Sequence, residues 1–449
     1  MRKPVPNPRR RALAELVAAK SPLTCAMYEK AKLHYVGGAV GANKPVFPAP
    51  LYISEAQGAH LMDVDGNSYI DCWAGGGTVF FGHNHPAICD RIVEQASKGW
   101  MYGLPHELQI KFAEKMKQLL PMHECFVLCN SGTEAVQKAI MLARAATGRN
   151  RIVKLSGAYH GTYDDVIMNV RAEPFDQMPI APTPYIAGVA ARSKEETIIL
   201  PMNNQLALDY LERECLVQAS LGQPSANIAA VLIEPVTGTG LIEINADYFS
   251  ALHTLCKRHG ILLVMDEVFA GLRGIPHRSA DIHTYGKVIA GGMPIGVVAM
   301  SKPIVDACLH LQPPLLMGGT FSGNPLCLSA ACAFLDELLL QPDSITQLVY
   351  KTHNFVTELN SYIDARGYPM SLKKSGAIFC LYAMPTLPSC PEDLQKNNGK
   401  IMDELSLRLR LQGVVMNVTG TGTLTLAHDD SVMESLIIIM KNCIDECYA

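Results

Sequence analysis

Apolar and polar positions along this chain fall into two rhythms. In "HLMDVDGNSYIDCWAGGG" (60–77) they alternate, pause at an Asp-Gly pair and alternate again, which predicts a hairpin. In "KFAEKMKQLL" the spacing is helical, as it is in "SGTEAVQKAIMLARAATGRN", with Ser131 at the start and Gly148 at the stop. "CFVLCN" predicts a short strand. "NIAAVLIEPV" and "GILLVMDEV" are unbroken apolar runs that each end in a carboxylate, the pattern of parallel strands buried on both faces. Between them "YFSALHTLCKRHG" is helical and ends on a glycine. Strand, helix and strand with long crossovers predict an α/β domain around a mainly parallel sheet, over residues 78–324. After the long helix expected in "TFSGNPLCLSAACAFLDELLL", residues 325–449 mix helices with strands ("AIFCLYAM", "TGTLTLA"). They predict a smaller α+β domain, joined by the arm and hairpin of residues 1–77, so that both chain ends build it.

Composition narrows the function classes. A chain of 449 residues, 49% hydrophobic and 18% charged, is globular and long enough for more than one domain. The net charge of −4 supplies no basic field, so no nucleic-acid partner is expected. No apolar run reaches the ~18–20 residues of a membrane span. The basic start "MRKPVPNPRRRALAELVAAKSP" lacks the apolar core of a signal peptide and predicts an arm or a subunit-contacting helix. The fourteen cysteines are scattered without a CxxC; only Cys125/Cys129 and Cys443/Cys447 share a four-residue spacing. Reduced, space-filling thiols in a cytoplasmic protein are expected, and no metal centre.

In an open α/β sheet, ligands gather at the carboxyl ends of the strands. Glu234 and Asp266 stand at such ends, and so does the loop before Ser131. "NSGTEA" offers hydroxyls, backbone N–H groups and a helix start that suit a phosphate; it also reads as a plain serine N-cap with Glu134 in a capping box. Asp266 follows four apolar residues and needs a partner, either a protonated ring nitrogen or a core cation. "TYGKVIAGGMPIGVVAM" sets Lys287 at the edge of an apolar run and then inserts glycines. A lysine that must lose its proton and bond to a carbonyl needs such desolvation, with Gly291 and Gly292 giving room for a flat cofactor. The bland alternative is a lysine snorkelling from a strand end.

Order and spacing add what each motif lacks alone. The turn "NSGTEA", "SGAYHGTY", "IEPV", "DEV", a lysine 21 residues after Asp266, and "GGTFSGNP" follow one another. Together they resemble the class III aminotransferases of the fold-type I pyridoxal-phosphate enzymes, within them the glutamate-1-semialdehyde aminomutase-like branch. The resemblance runs from "DVDGNSYID" to "LAHDD". It implies pyridoxal 5′-phosphate as cofactor, with Lys287 as the Schiff-base lysine and proton carrier. It further implies Asp266 on the pyridine nitrogen, Val268 on one ring face and Tyr159 on the other. Ser131, Gly132 and Thr133 would bind the phosphate, and Glu234 would order groups near the cofactor. Thr320 would reach the phosphate of a neighbouring subunit, giving a homodimer with shared sites.

Departures from the family's pattern bear on the reaction. The aminomutases carry a mobile Gly/Ser-rich gate after "YHG"; here the segment is "TYDDVIMNVRAEPFDQMPIAPTPYIAG", rich in proline. They also place a tryptophan where this chain has Gly76. Both differences favour an aminotransferase, acting between an amine or amino acid and a keto acid or aldehyde, over an aminomutase or epimerase. Lys44 stands near the position of an arginine that holds a substrate carboxylate, and gives a point charge instead of a bidentate clamp. The segment between "DEV" and Lys287 is short for the family. The carboxylate-switching arginine of ω-aminotransferases has no counterpart in "VVMNVTGTGTLTLAHDD". "YGKVIAGGMPIG" is similar to aminotransferase modules of assembly lines too, which leaves a carrier-protein-bound substrate open.

Overall fold

In the computed structural model, residues 8–38, 48–220 and 227–449 are described. In chain order the strands are β1 (Ile53–Gln57), β2 (His60–Asp63), β3 (Ser68–Asp71), β4 (Cys125–Cys129), β5 (Arg151–Leu155), β6 (Thr197–Leu200), β7 (Ile228–Ile233), β8 (Leu262–Asp266), β9 (Ile282–Gly286), β10 (Gly296–Met300), β11 (Ser371–Ser375), β12 (Ile378–Tyr382), β13 (Val414–Val415) and β14 (Thr421–Thr423). They belong to two compact units. The first comprises Met1–His85, Gln347–Leu387 and Asn397–Ala449; the second comprises Pro86–Thr346 and Pro388–Lys396.

The first unit holds a four-stranded sheet, β1-β2-β3-β13, and a three-stranded antiparallel sheet, β11-β12-β14. β2 and β3 form the expected hairpin. Its turn is organised by Asp63, whose Oδ1 accepts the backbone N–H groups of Asp65 (3.0 Å) and Asn67 (2.8 Å), while its Oδ2 accepts the Tyr69 hydroxyl (2.9 Å). At the end of β3, Asp71 accepts from the backbone of Trp73 and Ala74 and lies 2.7 Å from His83 Nε2. It anchors a run of four positive φ values from Ala74 to Gly77. Three glycines in that run meet a backbone requirement that other residues meet only with strain.

The second unit is built on a seven-stranded sheet ordered β4-β10-β9-β8-β7-β5-β6. β10 is antiparallel to both β4 and β9, and the other neighbours are parallel. Six strands therefore point one way. Every residue of β7 is buried, which explains its unbroken apolar run. Period-2 alternation divides the core into two layers. Val153, Val231, Ile233, Leu263 and Met265 pack on one face with Leu211, Leu252 and Leu255 from the helices Gln205–Ser220 and Ala246–His259. Ile152, Leu232, Val264 and Ile282 pack on the other with Val136 and Ile140 from the helix Gly132–Thr147. That last helix starts and stops as the sequence predicts: the Ser131 hydroxyl accepts from Glu134 N, and Gly148 closes it in the left-handed region. The long helix Pro325–Leu340 is also present, with Asn324 as its cap.

Candidate active site

The carboxyl ends of five parallel strands carry the candidate residues. Ser131 follows β4, Tyr159 and His160 follow β5, Glu234 follows β7, Asp266 ends β8 and Lys287 follows β9. Chain direction alone gathers residues that are up to 156 positions apart (287 − 131) at one edge of the sheet.

Asp266 is buried and held on three sides. Its Oδ1 accepts Val268 N and the Thr284 hydroxyl, each at 3.0 Å, and its Oδ2 lies 2.8 Å from His160 Nδ1. The partners of Asp266 are an imidazole, a hydroxyl and a backbone amide rather than a core arginine. His160 is fully enclosed, and its Nε2 is buried without a partner. Burial pushes the imidazole's pKa down, against the pull of Asp266. From sequence alone His160 reads only as the neighbour of Tyr159, with a structural role, and Thr284 as part of a strand. The signal for Thr284 was present: it pairs in register with Asp266 on the adjacent strand and so shares its face of the sheet.

Glu234 is likewise buried. Its Oε2 accepts Tyr159 N (2.9 Å) and its Oε1 accepts Gly238 N (3.0 Å), so one carboxyl fixes two loops. Burial first, then the charge of Asp266, push its pKa up to about 8, against the two N–H donors.

Lys287 opens a short 3-10 turn with φ +50. A left-handed conformation is strained for a long side chain and concentrates at functional positions. Its Nζ lies 5.4 Å from the centre of the Phe269 ring. Burial lowers the amine's pKa, with Asp266 and Glu234 pulling the other way. A lysine snorkelling to water would show neither feature.

Close backbone approaches shape the space in front of these groups. A Cβ on Gly132 would sit 2.6 Å from Val268 Cγ1, one on Gly161 2.4 Å from Thr133 Oγ1, and one on Gly296 2.0 Å from the Ser131 carbonyl oxygen. Val268 thus lies directly on the start of the helix that begins at Gly132. The N–H groups of Gly132 and Thr133 are among the first four of that helix, which have no partner within it. Ser131 fulfils its alternative role as N-cap, with Glu134 Oε2 accepting Asn130 N (3.0 Å). The cap occupies an acceptor lone pair and leaves the hydroxyl proton to donate. Gly291 caps the 3-10 turn at φ +57, where a Cβ would stand 2.6 Å from Ile88 Cδ1.

Three candidates stand apart. Thr320 is exposed and lines a groove of about 440 Å³ with Met101–His106, Gln109 and Ser322–Pro325; no other candidate residue lines it. Gly76 belongs to the first unit, at φ +76, where a Cβ would touch the Trp73 indole at 3.6 Å. Lys44 lies outside the described residues.

Comparison with known proteins gives the family. The profile of the family described as aminotransferase class-III matches residues 41–446. The chain is similar to glutamate-1-semialdehyde 2,1-aminomutase of Bordetella avium (strain 197N), 32% identical over 426 residues, covering 92% of this chain and 96% of that protein. Its fold is similar to that of an omega-transaminase from Sphaerobacter thermophilus (24% identity, TM-score 0.87, 95% of this chain and 98% of that one). It is also similar to a β-phenylalanine aminotransferase from Variovorax paradoxus (26% identity, TM-score 0.84, 98% and 97%). With the match spanning nearly the whole sequence and the lysine, the aspartate and the helix start gathered at one sheet edge, the chain belongs to the class III aminotransferases.

Proposed function

We propose that the chain is a pyridoxal 5′-phosphate-dependent aminotransferase that passes an amino group from an amine or amino acid to a keto acid or aldehyde in a ping-pong cycle. The observation that carries this reading is Lys287, a desolvated amine in a strained conformation just past β9, the strand that pairs with β8 at Asp266. Bound there, the cofactor supplies an aldehyde and an electron-withdrawing ring. The residues fit it. Gly132, Gly161 and Gly296 let Val268, Thr133 and the Ser131 carbonyl pack closely around the helix start, an oriented carboxylate has acceptor capacity left on Oδ2, and N–H groups without a partner inside the helix mark a phosphate position.

Each residue then has a task. Lys287, with its pKa lowered by burial, supplies neutral amine for attachment and carries the substrate's proton. Asp266 would hold the proton of the ring nitrogen, with His160 and Thr284 keeping its carboxylate oriented. Val268 and Tyr159 would flank the ring. Ser131, Gly132 and Thr133 would bind the phosphate, and Glu234 holds the Tyr159 loop in place. Thr320 serves the partner subunit's phosphate, so the working unit is a homodimer. Its fourteen cysteines are all free thiols, as suits a cytoplasmic protein.

A second reading, an aminomutase or epimerase on the same cofactor, is favoured by the 32% identical relative. An aminomutase must enclose its intermediate, and gates are made from segments able to reorder. The segment 163–188 is tied down instead. Val166, Ile167 and Met168 are buried, Asn169 bonds to the backbone of Thr183 and Ala181, and Ile180 bridges to Ile199. Transamination is therefore the better-supported reaction.

The test is a half-reaction. Holoenzyme mixed with a panel of amines, amino acids and carrier-bound amines is followed by the absorbance of the cofactor. A donor alone is expected to convert it to its amine form and stop, and a keto acid or aldehyde to restore it. Steady turnover of one amino substrate with no acceptor would establish an isomerase.

A further inference from the structure

Asp266 and Glu267 are adjacent, yet strand alternation sends their side chains to opposite faces. Asp266 faces the candidate site. Glu267 meets two imidazoles: its Oε1 lies 3.0 Å from His283 Nδ1 and 3.2 Å from His277 Nδ1. The three ligand-type atoms all lie within 4.8 Å of one another. We propose that Glu267, His277 and His283 form a binding site for a divalent transition metal of the zinc class, separate from the cofactor site.

The donor set suits that class. Imidazole nitrogen with one carboxylate oxygen is a ligand set for zinc and its neighbours, whereas magnesium and calcium take oxygen. Tetrahedral zinc with bonds of about 2.0–2.1 Å sets its ligand atoms roughly 3.3 Å apart, slightly wider than the two carboxylate–imidazole distances here, while the three atoms together lie within 4.8 Å. Protein packing restricts the rings in advance. His277 and His283 are stacked with centroids 4.8 Å apart, Tyr285 stacks with His283 at 6.2 Å, and His123 meets His283 edge-on at 4.7 Å. His123 itself is engaged by the Tyr285 hydroxyl at 2.8 Å. Glu267 and His283 are buried, while the His277 side chain is 30% exposed, which gives an ion an entry side and a water its place as fourth ligand.

The position also suggests what the ion would do. Glu267 directly follows β8, His283 lies in β9, and His277 lies in the connection between them. A metal at these three atoms would cross-link the two strands that present Asp266 and Lys287. Its role would be to hold that connection, with no part in the chemistry.

Metal analysis of the holoenzyme tests the proposal. Protein stripped with a chelator and titrated with zinc or cobalt(II) is expected to take up about one ion per chain and to melt at a higher temperature. Cobalt should show the visible absorption of a tetrahedral site. His277→Ala alters a partly exposed loop position and is expected to keep its cofactor absorbance while losing at least tenfold in metal affinity. His283→Asn provides a second, buried variant with the same expected loss. Uptake far below one ion per chain would overturn the site, as would equal affinity in His277→Ala, which would assign the ion to thiols or to the cofactor.

Discussion

At the scale of single residues, Glu234 is the group whose environment departs furthest from that of an ordinary carboxylate. Its pKa is pushed up to about 8, whereas an unfolded glutamate ionises near ~4.3. Between those values the folded chain holds a proton that the unfolded chain has released. Stability in the protein freed of cofactor should therefore fall as pH rises through that window. Glu234→Gln removes the ionisation. Its melting temperature is expected to decline less between pH 5 and pH 8 than the wild type's, by about 2 °C or more. A gap between the two proteins that stays constant with pH would mean that Glu234 is charged throughout. The same residue shows what a sequence can and cannot disclose. That a carboxylate stands at the end of β7 follows from a six-residue apolar run. That it fixes the Tyr159 and Gly238 amides depends on loops from distant parts of the chain, which no periodicity encodes.

At the scale of elements, what was legible is what local rules govern. The helix after Ser131, its glycine stop, the β2–β3 hairpin and the buried strands β7 and β8 all follow from period and cap chemistry. His160 was the harder case, because its meaning arises from a partner 106 residues away; the His277/His283 pair depends on Glu267, nearer in sequence but met only once the connection after β8 folds back. Glycines were only partly readable. Those after Lys287 attracted attention, whereas the closest approach in the candidate site belongs to Gly296, at the start of the antiparallel strand β10. Its absent Cβ would stand 2.0 Å from the Ser131 carbonyl oxygen, a backbone atom that cannot rotate aside. Gly296→Ala should force β10 away from the helix that begins at Gly132. A destabilisation of at least ~1–3 kcal/mol is expected, together with weaker cofactor retention, read by thermal unfolding and by cofactor absorbance after dialysis. Gly399→Ala is the matched control: no atom lies within 4 Å of the added carbon, and its effect should stay within about 0.5 kcal/mol. Equal behaviour of the two variants would show that the helix start has slack and is a poor phosphate clamp.

At the scale of the whole molecule, the surface around Thr320 needs an explanation that one chain does not supply. Leu316 is 82% exposed, Leu104 73% and Phe321 63%, close in sequence to or part of the two segments that line the Thr320 groove. Exposed apolar side chains gathered near a groove mark a surface that is covered in use. A second copy of the chain would account for it, because a two-fold dimer would bury the same patch on both subunits. If Thr320 then reaches the partner's phosphate, Lys287 and Thr320 of one chain serve different sites. Lys287→Ala and Thr320→Ala proteins should each be weak alone. After subunit exchange, one site of every mixed dimer carries both lesions and the other carries none. An equal mixture should recover about a quarter of the wild-type activity, the fraction of intact sites expected from random pairing of a two-fold dimer. Recovery in proportion to the mixed-dimer fraction, followed by mass or by a tag on one chain, would establish the shared site. If exchange is demonstrated and activity stays at the level of the two single variants, each chain completes its own site, and the apolar surface at Leu316 and Phe321 joins subunits without taking part in catalysis.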